Sequence, residues 1–221
     1  MSLTTAARTP PIHVFIDNSN VFGGAAECAK LLEPQVPWVA VRVYFRNLFA
    51  LIEKGRPKLT AVLGGSVPRG NEGLWDYARQ QGYSTDLLRR LDNADGTTEE
   101  QAVDEVLHLK IANALLDHDP PQTLVLVTGD GSESDFGTGF AKQVDRALKR
   151  GWDVEVYSWR AGLSGVFGRQ AASSNGKMKV FELDSNYHSL TFVKAGRYFV
   201  TTDGGLKVDV DIGERIVSPL R

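Results

Sequence analysis

Several kinds of chemistry are excluded by what this chain lacks. A single cysteine, Cys28, cannot close an internal disulfide, and no Cys or His falls at zinc-ligand spacing. Neither a GxGxxG loop nor a P-loop follows the first apolar strand, where the only nearby glycines are the adjacent Gly23 and Gly24. No GxSxG is present, so a serine-hydrolase elbow is excluded. The most apolar stretch, Val36 to Ile52, is broken by Arg42, Arg46 and Asn47, which argues against a membrane span. The first eleven residues lack the apolar centre of a secretory signal, and the expected location is intracellular. No internal repeat and no low-complexity tract occurs, and a formal charge of -2 makes any nucleic-acid contact a local matter.

What is present is an alternation of strand and helix. With 221 residues, 42% hydrophobic and 24% charged, the chain has enough apolar material for one domain with a small appendage. His13 to Ile16 reads as a buried strand, and Trp38 to Lys54 as a helix ended by Gly55 and Pro57. Leu59 to Leu63 is a strand stopped by Gly64 and Gly65, Glu72 to Gln81 a helix, and Tyr83 to Leu88 a polar strand. Thr98 to Gln101 fits a capping box that opens a helix to about Asp117. Leu124 to Thr128 is the clearest central strand. Thr138 to Arg150 is a helix, Asp153 to Tyr157 a strand, Ser164 to Ala171 a short helix and Lys179 to Leu183 the last core strand. Strands separated by helices of this length predict a mostly parallel sheet in a three-layer α/β/α sandwich. Leu190 to Val193, Tyr198 to Thr201 and Leu206 to Val210 predict a small antiparallel extension, giving a tail over 1–11, a main domain over 12–184 and an extension over 185–221. The exposed strand edges of that extension are suited to pairing in a homodimer.

Three acids draw attention. Asp17 closes the first strand, Asp130 follows the central one, and open parallel sheets gather ligands at such carboxyl ends. Asp104 falls on the apolar face of its helix, between Ile111 and Leu115 on a helical wheel. A carboxylate there needs a partner, either a metal ion or a structural arginine, or it serves the helix dipole. Asp17-Asn-Ser-Asn20 also suits a helix cap or turn, and Gly129 to Phe136 also suits a solvated capping loop.

In order and spacing, the run Phe15 to Asn20, the helical Val103 to Leu107, Leu126 to Asp130 with Asp135-Phe136, and the continuation through Gly139-Phe140, Ala147 to Trp152, Val154 to Val156 and Ser158-Trp159 resemble the NYN domain, a branch of the PIN-like nucleases. The resemblance covers roughly residues 12 to 184. It implies clustered aspartates that hold Mg²⁺ or Mn²⁺ and hydrolyse phosphodiester bonds, usually in RNA. Asp17, Asp104 and Asp130 match the acidic positions and Asn20 the polar one. The family commonly has its next acid two residues after the glycine-aspartate, whereas Asp135 is five residues after Asp130. Asp135 reaches the metal through a longer loop, or Glu133 replaces it, or that ligand is missing. Asn20 and Ser132 are then the residues expected to orient water or phosphate.

A local excess of positive charge between residues 142 and 179, including Lys142, Arg146, Arg160 and Arg169, is the expected nucleic-acid surface. Trp159-Arg160 and Phe167-Gly168-Arg169 offer aromatic and cationic groups for bases and phosphates, unless the aromatics are core. The competing readings are a catalytically inactive RNA-binding or protein-interaction module of the same shape, and an aspartyl-phosphate type phosphohydrolase, which wants a second Asp where Ser19 stands.

Overall fold

The structure is a computed structural model, described over residues 10–66, 72–88, 101–132, 138–201 and 207–220. Its centre is a six-stranded, all-parallel sheet in the order β4-β3-β1-β5-β6-β7. The strands are β1 (Ile12–Asp17), β3 (Lys58–Ser66), β4 (Ser84–Leu88), β5 (Thr123–Val127), β6 (Asp153–Ser158) and β7 (Met178–Glu182). Both β1 and β5 are buried along their whole length, as expected of central parallel strands covered on both faces.

Side-chain alternation sorts the core into two layers. Ile12, Val14, Ile16, Val125 and Val127 point to one face, where α1 (Asn18–Leu32), α2 (Phe45–Glu53) and α3 (Glu72–Gln80) pack. Phe15, Leu124, Leu126, Val154 and Val156 point to the other, covered by α4 (Gln101–Asp117), α5 (Phe140–Lys149) and α6 (Gly165–Ser173). The predicted three-layer sandwich is therefore observed.

Local departures from the sequence reading have visible causes. Trp38 to Lys54 is not one helix: a 3₁₀ turn at Trp38–Ala40 leads into β2 (Val41–Val43), and α2 starts only at Phe45. The β-branched Val41 and Val43 pair with β8 (Thr191–Val193), a partner about 150 residues away that no local pattern announces. Gly64 and Gly65 do not stop β3 but lie inside it, because a Cβ on Gly64 would come 2.9 Å from Leu107 and one on Gly65 2.8 Å from Asn18. Helix α1 has little local signal in the sequence. Gly23-Gly24 weakens its local helical signal, yet a Cβ on Gly24 would sit 2.5 Å from the Trp159 ring. The capping box at Thr98 lies outside the described residues.

Near the end of the chain, β9 (Gly196–Thr201) and β10 (Lys207–Ile212) form the expected antiparallel pair. Tyr187, Leu190 and Val193 belong to the core layer of α1 and α2. Glu33, at the end of α1, accepts from Tyr187 Oη at 2.8 Å and from Arg215, ion-paired at 2.8 Å, tying the last described segment to α1. No described helix is long and apolar enough to cross a membrane.

Candidate active site

Chain order reverses between β1 and β5, so the crevice beyond their carboxyl ends is the switch point at which such sheets bind ligands. Asp17 sits there with 1% of its surface exposed. It caps α1, where the helix dipole favours its charge. Its Oδ1 accepts from the Asn20 backbone N–H at 3.1 Å, and its Oδ2 accepts from Asn20 Nδ2 at 2.7 Å and Thr128 Oγ1 at 3.1 Å. Burial nevertheless wins and raises the carboxyl pKa above its ordinary 3.8, with the Asn20, Thr128 and Ser19 donors only opposing the shift. Among the described residues no cation offsets this charge.

Thr128, also buried, joins the two strand ends. While its hydroxyl donates to Asp17, its oxygen accepts the Asp130 backbone N–H at 3.2 Å. Asn20 makes a parallel link, its Oδ1 accepting the Gly129 N–H at 3.2 Å. The loop is also tightly packed: a Cβ on Gly129 would lie 2.1 Å from the Gly162 carbonyl oxygen, and one on Gly131 2.4 Å from Val166. The Asp130 side chain is half-exposed and accepts from Ser132 N at 2.9 Å and Ser132 Oγ at 3.0 Å.

Helix α4 returns antiparallel to the strands, which puts its amino end at this same edge. Leu107 lies against Gly64, the register partner of Asp17, and Asp104 is one turn nearer the helix start. Asp104 is half-buried and has an interaction partner. One turn further on, His108 is buried edge-on to Phe140, with ring centroids 4.5 Å apart and neither ring nitrogen hydrogen-bonded among the described residues. Burial lowers its pKa, opposed by the charges of Glu105 and Asp130, so the Asp130 loop and α4 share one electrostatic environment.

Asp17, Asn20, Asp130 and Ser132 are thus joined by hydrogen bonds at one edge, and Asp104 stands on the first turn of α4 at the same end of the sheet. Among the described residues, no three His, Cys, Asp or Glu are grouped closely enough to hold a metal ion. Asp135 and Glu133 lie outside the described residues. The side-chain acceptors at this edge, the carboxylates of Asp17 and Asp130 and the hydroxyls of Thr128 and Ser132, are oxygens that suit a hard cation all the same, and among the described residues no counter-charge faces Asp17.

The aromatics expected to stack on bases do not reach solvent. Trp159 is 2% exposed with its indole N–H donating to the Val21 carbonyl at 2.9 Å, and Phe167 is fully buried. Arg160 is exposed but paired with Glu182, its Nη2 at 2.6 Å and Nε at 2.9 Å from Oε2. Lys142 and Arg146 lie on α5 and Arg169 on α6, the two arginines exposed and Lys142 half-buried. Sequence reasoning gave Thr128 no role. Its signal was local: a hydroxyl between a fully apolar strand and Gly-Asp has no reason to be buried unless it bonds something.

These features define a nuclease-like α/β domain with an acidic edge at its switch point. The chain belongs to the NYN domain family, whose sequence model matches residues 11–174. No curated protein matches it in sequence. In three dimensions it is similar to the crystal structure of a Vibrio parahaemolyticus protein of unknown function, with a TM-score of 0.54 and 14% identity over 81% of this chain and 95% of that one, a likeness of fold alone.

Proposed function

We propose that this chain is a metal-dependent nuclease that hydrolyses phosphodiester bonds in RNA, with Mg²⁺ or Mn²⁺ held by Asp17, Asp104 and Asp130 and by Asp135. The observation that carries this reading is Asp17: a fully buried carboxylate without a counter-charge among the described residues, hydrogen-bonded through Thr128 to the Asp130 backbone at the switch point of an NYN fold. A bound divalent ion would offset the buried charge, polarise the phosphate and lower the pKa of an attacking water.

The chain's own residues prepare that edge. Asn20 fixes both Asp17 oxygens from one side while holding the Gly129 N–H from the other. Thr128 keeps its donated proton on Asp17, so its oxygen is free to hold the Asp130 backbone. Ser132 occupies both Asp130 oxygens and would hand them over when a cation binds, leaving its hydroxyl to orient water or phosphate. Lys142, Arg146 and Arg169 are the proposed phosphate contacts, and Arg160 contributes on release from Glu182. Pairing of two chains through the β9 and β10 edges is a further part of the proposal.

The test is cleavage of a labelled single-stranded RNA. Mn²⁺-dependent cutting that stops in EDTA and in Asp17→Asn is expected; undiminished cutting in excess EDTA contradicts the reading. A second reading, an RNA-binding module without turnover, is favoured by the separation of acids among the described residues. It predicts RNA binding with neither cleavage nor Mn²⁺ uptake.

A further inference from the structure

At the amino end of the sheet, opposite the acids, three rings pack against one another in tilted contact, from the core outward. Trp152 and His13 are fully buried with centroids 4.7 Å apart, and His118 lies 4.7 Å beyond His13, at interplanar angles of 36° and 48°. His13 Nδ1 is 3.0 Å from Thr60 Oγ1, which fixes the middle ring. The outermost ring, His118, is only half-buried and lines a cleft of about 430 Å³ between the end of α4 and the starts of β3 and β4. That volume falls in the range of small-molecule sites.

The lining is chemically mixed in a particular way. Ala61, Val62 and Ala114 supply an apolar floor, Lys110 adds a cation, and Asn113 and Asp117 line the same cleft from α4. Those two residues are four apart and therefore share one helix face with each other. The cleft thus has an aromatic end, an apolar floor, a lysine ammonium and an amide beside a carboxylate.

We propose that this cleft is a nucleobase subsite, taking a guanine-type base stacked on His118 with its donor edge toward Asp117 and Asn113; it rests on the nucleic-acid reading above. An ionised carboxylate only accepts hydrogen bonds, so the base facing it must present donors. Guanine presents a ring N–H and an amino group on one edge. Adenine presents one amino group beside a ring nitrogen that a carboxylate repels. Asn113 can donate or accept, and so reads the neighbouring position. Base stacking on His, Phe, Tyr or Trp is a general mode of single-strand recognition. Asp104 and His118 lie fourteen residues apart on and just after α4, about 21 Å at helical rise, so the subsite would grip a strand well away from the acids.

The experiment is an amide NMR titration of the full ¹⁵N-labelled chain in EDTA with guanosine 5′-monophosphate, and with adenosine 5′-monophosphate for comparison. Saturable shifts at Thr60, Asn113 and His118 are expected, with the adenosine nucleotide about tenfold weaker. His118→Ala should weaken binding about tenfold. His118→Phe, which keeps a stacking ring, should stay within about twofold of wild type, and Asp117→Asn should erase the preference for guanine. Absence of saturable shifts, shifts confined to the Asp17 edge, equal affinity for the two nucleotides, or an unaffected His118→Ala would each overturn the proposal. The titration contains no cleavable internucleotide bond and no metal. Failure here with intact RNA cleavage sinks only the subsite, and intact binding without cleavage sinks only the nuclease.

Discussion

The two ends of β1 carry two titratable residues that are equally buried and oppositely served. His13 is held down to about 4 by burial and by the nearby His118, against a hydrogen bond to the Gln122 side chain, and it is packed among rings with Thr60 Oγ1 beside its Nδ1. Asp17, four residues along, is raised by burial, yet every polar group against it is a hydrogen-bond donor. Burial opposes charge at both ends. Only the carboxyl end is furnished with donors that favour a charge, and among the described residues no cation faces it. The sheet therefore separates an end whose buried histidine is packed among rings from one whose buried carboxylate is surrounded by hydrogen-bond donors.

The largest effect expected of any change is at Asp17. Asp17→Asn should cut RNA cleavage more than about a hundredfold, exceeding what the loss of a supporting hydrogen bond to a metal ligand costs. Its melting temperature in EDTA should stay at or above that of wild type, because a buried charge that no cation among the described residues offsets has gone. Unchanged turnover would break the comparison at once.

Backbone closeness at the acidic edge comes next. Gly129→Ala should destabilise the fold by about 3 kcal/mol in denaturant melts, since the new Cβ collides with the Gly162 carbonyl rather than with a side chain that can turn away. A loss below about 0.5 kcal/mol would show that the Asp130 loop is looser than described.

The pH response then sharpens the contrast, because the two residues tilt stability in opposite directions. Native His13 binds a proton less tightly than the unfolded chain, so stability falls as pH drops from about 6.5 toward about 4, by about 2 kcal/mol between pH 7 and 5. Native Asp17 binds its proton more tightly than the unfolded chain, so its contribution to stability falls as pH rises above the ordinary 3.8. Urea melts of wild type and His13→Phe across that range test the first statement: the variant should lose the acid slope, and an identical slope contradicts it.

Thr128→Val is the smallest. It removes the hydroxyl between Asp17 and Asp130 at nearly constant volume and should cost about 1 kcal/mol of stability while weakening Mn²⁺ affinity about tenfold. Unaltered Mn²⁺ affinity would make Thr128 a purely structural residue.

How legible this was differs between the two ends. The strands and the carboxyl-edge acids could be read from the chain because apolar runs ending in Asp carry their own signal, as at Phe15 to Asp17 and Leu126 to Asp130. Features made by distant partners could not. Val41 to Val43 is a strand only because Thr191 to Val193 lies beside it, and α1 tolerates Gly24 only because Trp159 fills the space. Trp159 and Phe167 sit beside cations in sequence but point inward, since the direction of a side chain depends on the layer packed over it. The ring column was equally hidden, because His13, His118 and Trp152 are far apart along the chain and share no motif.

The central claim is that Asp17 is buried as a charge awaiting a cation, and calorimetric titration of Mn²⁺ into the full-length chain tests it most directly. Saturable binding by the wild type that disappears in Asp17→Asn is the predicted result. Silence in the wild type, or the same isotherm in both proteins, would contradict it.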